Sequence, residues 1–142
     1  MIRIIVDGAP VAKGRGRIGR INGRPMVFTP AKTRTYADAL AYAASQAMIG
    51  KVPLDVPLSV EVTAFLPIPV SFSKKKRAAA AQGLHLPSKK PDVDNYLKQL
   101  DALNTIVWRD DALIVVATIR KVYAEKPRLE IEVREAVQDN LL

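Results

Sequence analysis

Hydrophobic and polar positions alternate along two stretches of this 142-residue chain and recur at helical spacing along two others. Leu58, Val60, Val62, Ala64 and Leu66 alternate with Ser59, Glu61, Thr63 and Phe65, the period of a strand, which Pro67 and Pro69 then end. Arg128 to Arg134 alternates as strictly, with Leu129, Ile131 and Val133 inward. Leu113 to Tyr123 is an apolar strand, and Ala124-Glu125-Lys126-Pro127 is short enough to make a hairpin of these last two. Met1 to Asp7 reads as a first strand, being too short and too soon interrupted for a signal peptide. Tyr36, Leu40, Ala43, Ala44 and Ala47 form the apolar stripe of a helix that Thr29 can cap, Pro30 can begin and Gly50 can end. Ser73 can cap a short helix through Lys74-Lys75-Lys76-Arg77 and four alanines to Gln82, with Gly83 as its stop. A third helix is expected from Asn95 to about Asn104, burying Leu97, Leu100 and Leu103.

The order β-α-β-α-α-β-β predicts an α+β or α/β fold with helices covering a mixed sheet. Between the first strand and first helix, Gly8 to Thr29 is rich in Gly and Arg and carries the turn signal Asn22-Gly23, so a basic ribbon or a mobile loop is expected there. A hydrophobic content of 49% suffices for one core and not for two, giving a single domain over 1–135 and a fraying tail over 136–142. No apolar run approaches the ~18 residues of a membrane span. There is no cysteine, so disulfides and thiolate-bound zinc are excluded, and a cytoplasmic protein is expected.

Charge changes the picture. The net charge is +8, which suits a polyanionic partner. Up to Pro91 there are 15 Lys/Arg against four acids, and beyond it seven against ten. The acids from Asp92 to Asp111 form an island in a basic chain, as a nuclease requires: cations for phosphates, and local negative charge for a metal.

The stretch Lys90-Pro91-Asp92-Val93-Asp94-Asn95 carries most of the chemistry. Pro91 cannot sit inside a helix, so the helix begins after it, with Asp94 expected as its cap. In the extended segment before it, Asp92 and Asp94 point the same way, with Val93 anchored in the core between them. Two such carboxylates repel unless a cation intervenes. With His85 the single histidine, the ligands are hard oxygens, which favours Mg²⁺ or Mn²⁺. Such ions polarise phosphoryl oxygens and activate water. Lys98, four residues after Asp94, either offsets charge on a phosphate or forms an ordinary helical salt bridge. In Trp108-Arg109-Asp110-Asp111, at the start of the apolar strand, alternation lets only one of the two acids face a site, and the pattern does not say which. Asp101 reads as a surface or salt-bridging residue, His85 as a loop residue without a role, and Trp108 as a packing residue.

Lys13, Arg15 and Arg17 alternate with Gly14, Gly16 and Ile18 and are followed by Arg20, a pattern suited to phosphates. Lys74, Lys75, Lys76 and Arg77 are a second basic segment, either a DNA contact or a solvated face. Few aromatics accompany these charges, which disfavours a base-stacking platform and favours backbone contacts.

From Lys90 to Lys98, then through Leu100-Asp101-Ala102-Leu103-Asn104 to Trp108-Arg109-Asp110-Asp111, the chain resembles the RusA family of Holliday-junction resolvases. Gly8-Ala9-Pro10, Lys13-Gly14-Arg15-Gly16-Arg17 and Thr29-Pro30 leading to Thr33-Arg34 and Tyr36 resemble its phage-type members, and the likeness runs from about Val6 to Val133. It implies a homodimer that binds four-way DNA junctions and nicks opposing strands with Mg²⁺ or Mn²⁺, in a bacterial cell or phage-infected host. It places catalytic, metal-holding aspartates at Asp92, Asp94 and Asp111 and a catalytic lysine at Lys98, and so selects Asp111 over Asp110 by analogy. Between Lys98 and Asp101 the chain is one residue shorter than the family pattern, a rotation of about 100° in a helix. The competing readings are a nuclease for other branched DNA or for RNA, and an inactive DNA-binding module.

Overall fold

The computed structural model describes residues 1–14, 17–28 and 30–137, with all their side chains except those of Arg17 and Phe28. Six strands and three helices follow one another: β1 (Ile2–Asp7), β2 (Arg17–Ile21), β3 (Arg24–Phe28), α1 (Ala31–Ala47), β4 (Leu58–Pro67), α2 (Lys74–Ala81), α3 (Val93–Leu97), β5 (Ile114–Ala124) and β6 (Arg128–Glu135). Two 3₁₀ segments, Lys98–Leu103 and Asp111–Leu113, lie between α3 and β5.

A mixed four-stranded sheet in the order β1-β6-β4-β5 carries the α+β fold. Its alternating residues do what their period requires: Ile2, Ile4 and Val6, then Leu58, Val60, Val62 and Ala64, then Leu129, Ile131 and Val133 are all buried. Register lines them up across the sheet, Ile4 and Val62 flanking Ile131. Tyr36, Leu40 and Ala44 of α1, with Tyr96, Leu100, Leu103 and Trp108, close over the same face in one core. The other face carries ion pairs, among them Arg3–Glu130, Arg120–Glu61 and Arg134–Glu132.

The hairpin expected of β5 and β6 is not formed. β4 lies between them, parallel to β5 and antiparallel to β6. Two strand spacings are about 10 Å, and the four peptide steps from Ala124 to Arg128 reach up to ~14 Å. Pro67 ends β4 opposite Ala124, so the connection passes beyond that strand's end. Alternation had fixed which way β5 and β6 face, not which strand each one borders.

Gly8 to Phe28 does contain the expected ribbon. β2 and β3 pair as a separate two-stranded sheet. Asn22 (φ 50°) and Gly23 (φ 77°) make the left-handed two-residue turn that matches strand twist. Pro30 caps α1 instead of occupying its first turn, and Thr29, the expected cap, lies outside the described residues. Ser73 caps α2 as expected, its hydroxyl accepting from the Lys76 amide at 3.2 Å. Ala136, the first residue of the expected tail, donates its amide to the Pro57 carbonyl at 2.8 Å. Among the described residues no helix is long and apolar enough to cross a membrane.

Candidate active site

Asp92 caps α3 from an extended conformation (φ −68°, ψ 152°), and Asp94 stands in the first turn. The expected cap, Asp94, is thus displaced by two residues, because Pro91 lets the helix start immediately after Asp92. Val93, expected in the core, is 38% exposed for the same reason: it has become the first helical residue. Asp92 and Asp94 nevertheless open into one cleft of about 850 Å³, which Lys13, Asn95, Lys98 and Asp101 also line.

The helix tightens at Lys98, passing from α to 3₁₀. Leu100 and Leu103 are buried, and Lys98 lines the cleft with Asp94. The Lys98 ammonium lies 3.5 Å from the Asp94 carboxylate and 3.4 Å from the Asn95 side-chain oxygen, with both ion-pair partners more than half exposed. An exposed pair of this kind contributes roughly 0–1 kcal/mol, so little holds Lys98 back from an arriving phosphate.

The root of the basic ribbon is fastened to this helix. Lys13 donates its amide to the Asn95 carbonyl at 2.8 Å and pairs its ammonium with Asp101 at 2.6 Å. Gln99, 2% exposed, donates to the Val11 carbonyl at 2.6 Å. Gly14 is backed against α1 so closely that a Cβ there would meet Thr33 Oγ1 at 3.1 Å and Pro30 Cγ at 3.2 Å. From the sheet, Lys121 of β5 donates to the carbonyls of Lys89 (2.7 Å) and Pro91 (3.0 Å), holding the loop that presents Asp92. Gln99 and Lys121 had not been singled out. The signal was a lone polar residue inside an apolar stripe, and a lone lysine in the covered half of an apolar strand.

The second acidic pair is placed differently. Asp110 and Asp111 open a 3₁₀ turn ahead of β5 and do not lie on the strand, so alternation does not govern them. Asp110 caps that turn, accepting from the Ala112 amide at 2.8 Å. Asp111 is exposed and accepts from the indole N–H of fully buried Trp108 at 2.7 Å, which fixes its orientation. Asp111 does not line the cleft of Asp92 and Asp94. Among the described residues no three His, Asp or Glu side chains gather to hold a metal. Asp92 and Asp94, with the Asn95 amide beside them, are hard oxygen donors suited to Mg²⁺ or Mn²⁺; the third carboxylate on the cleft, Asp101, is paired with Lys13.

Of the other candidate cations, Arg20 is exposed on β2 and Arg17 lies in the same strand, while Arg15 falls outside the described residues. Lys74, Lys75 and Lys76 are exposed on α2. Arg77 is half-buried and donates to the Pro69 carbonyl at 3.1 Å, so it braces the loop before α2. His85 packs its ring against Phe72 and Tyr123.

Across residues 7–134 the chain matches the family described as Endodeoxyribonuclease RusA, from the end of β1 almost to the end of β6. The chain belongs to the RusA family. The uncharacterized protein YqaN of Bacillus subtilis (strain 168) is 41% identical over 137 residues, covering 94% of this chain and 96% of that protein. Membership of the RusA family supports a DNA endonuclease.

Proposed function

We propose that this RusA-family chain is a metal-dependent endonuclease that hydrolyses DNA phosphodiester bonds and resolves four-way junctions by paired nicks. It acts as a homodimer in the cytoplasm of a bacterial cell or phage-infected host. The observation that carries the reading is three carboxylates, Asp92, Asp94 and Asp101, and three lysines, Lys13, Lys90 and Lys98, opening into one cleft of a chain with net charge +8.

Asp92 and Asp94 would hold Mg²⁺ or Mn²⁺ with Asp111, which within one chain lies outside their cleft, and the ion would polarise the phosphoryl group and activate water. Lys98 leaves its exposed contact with Asp94 to offset charge building on the phosphate oxygens. Lys13 holds the neighbouring phosphate at the cleft rim. Arg15, Arg17 and Arg20 on the ribbon and Lys74, Lys75, Lys76 and Arg77 at α2 grip the junction arms, reading charge and shape.

Labelled four-way junctions, forks and plain duplexes, each incubated with and without Mg²⁺ or Mn²⁺, test this. Paired nicks confined to the junction and to the metal-containing lanes are expected. Metal-independent cutting, or no cutting of any substrate, would refute it.

A further inference from the structure

We infer that a hollow adjoining the cleft is a second phosphate subsite, in which Arg34 grips the strand being cut about two nucleotides from the scissile bond. This rests on the nuclease reading above and adds a binding site to it.

The hollow, about 260 Å³, is lined by Lys13, Thr33, Arg34, Lys98, Gln99 and Asp101. Lys13, Lys98 and Asp101 also line the cleft of Asp92 and Asp94, so the two depressions share a wall. Their charges differ. The cleft sets Lys13, Lys90 and Lys98 against three carboxylates, a balance that leaves a place for a metal cation. The hollow sets Lys13, Lys98 and Arg34 against Asp101 alone, an excess that suits an anion. The Lys13 ammonium, 2.6 Å away, offsets even that carboxylate.

The hollow is formed before any ligand arrives. Thr33, 4% exposed, accepts the Gly14 amide at 3.0 Å. Gln99, as deeply buried, is tied to the Val11 carbonyl. A wall fixed in advance loses little entropy on binding. From Asp94 to Lys98 the helix climbs roughly 6 Å, and from Lys98 to Ala102, which also lines the hollow, roughly 8 Å more. One strand of duplex DNA advances ~3.4 Å of axis per nucleotide, so such an offset from the carboxylates is about two nucleotides.

Arg34 is the group left over. Elsewhere on the main body Arg3, Arg109, Arg120, Arg128 and Arg134 pair with carboxylates, and Arg77 donates to a carbonyl. Arg34, exposed on the first turn of α1, has no such side-chain partner among the described residues. Its guanidinium fork matches two phosphate oxygens at once.

A double-mutant cycle between protein and DNA tests this. Four-way junctions carry a single neutral methylphosphonate, walked one phosphate at a time along the strands at the branch point. Binding is measured without metal for wild type, Arg34→Ala and Arg34→Lys. Arg34→Ala should weaken binding of the unmodified junction by roughly 10- to 100-fold, the worth of a charged hydrogen bond, and lower the salt slope by about 0.9. At one phosphate, about two nucleotides from the nick, the methylphosphonate should weaken wild type equally and cost Arg34→Ala nothing further. Arg34→Lys, keeping the charge without the fork, should restore the salt slope and only part of the affinity. Unchanged binding by Arg34→Ala, or losses that multiply at every position, would overturn the subsite, as would coupling to a phosphate far out on an arm. A wild-type protein that cuts no junction, yet shows the coupling at a single phosphate, would refute the proposed reaction and still support the subsite.

Discussion

Asp94 places a carboxylate in a cleft where a phosphate is expected, and its exposed pairing with Lys98 does little to restrain it. Asp94→Asn should abolish cutting while leaving junction binding unchanged or tighter, because a charge opposing phosphate is removed. Gel shifts without metal and cleavage with Mg²⁺ separate the two effects. Tyr36 makes a different prediction. Burial, and secondarily the neighbouring Tyr96, holds its phenol well above the ordinary value of 10.0. The folded state thus binds that proton more tightly than the unfolded chain. Its contribution to stability is complete below about pH 10 and is lost as the pH climbs above that. Tyr36→Phe should flatten this alkaline loss. The hydroxyl has no hydrogen-bond partner among the described residues, so the variant should also gain up to about 1–2 kcal/mol at neutral pH. Urea titrations near pH 7 and near pH 10.5 measure both.

At the level of elements, β5 positions the site as much as it completes the sheet. Lys121→Met deletes the two hydrogen bonds to the Asp92 loop. Loss of those bonds should cost about 1–3 kcal/mol of stability. A displacement near 1 Å at the carboxylate should slow cleavage by roughly 10- to 100-fold, with junction affinity unchanged. Single-turnover rates beside binding curves and melting temperatures would show it, and restoration by Lys121→Arg would tie the effect to donation. The alternation in β4 and β6 was legible because residues two apart in a strand share a face, and the same rule placed their buried residues correctly. The neighbour relation was not legible, because β4 separates β5 from β6 through contacts distant in sequence. The pairing of Asp92 and Asp94 was readable, but their roles as cap and first-turn residue were not. A proline stops a helix from passing through it and leaves open which following residue begins one. Asp111 was selected over Asp110 by analogy only, since local spacing does not tell the two apart.

For the molecule as a whole, charge dominates recognition. Junction affinity should fall linearly in a double-logarithmic plot against salt, with a slope near −0.9 for each phosphate neutralised. Arg20→Ala, on the exposed ribbon, should lower that slope by about one and weaken plain duplex to the same degree, which titrations at several salt concentrations would reveal. Lys13 differs, being held by Asp101 and tied to the cleft; its loss should reduce cutting as well as binding.

The position of β6 has a consequence for biosynthesis. β6 is wedged between β1 and β4, both completed long before it. Until it emerges, β1 has no partner in the main sheet, and Ile4 and Val62 face no Ile131. The main sheet therefore closes only once β6 has been made. Nascent chains stalled before Arg128 should remain open to protease along their whole length.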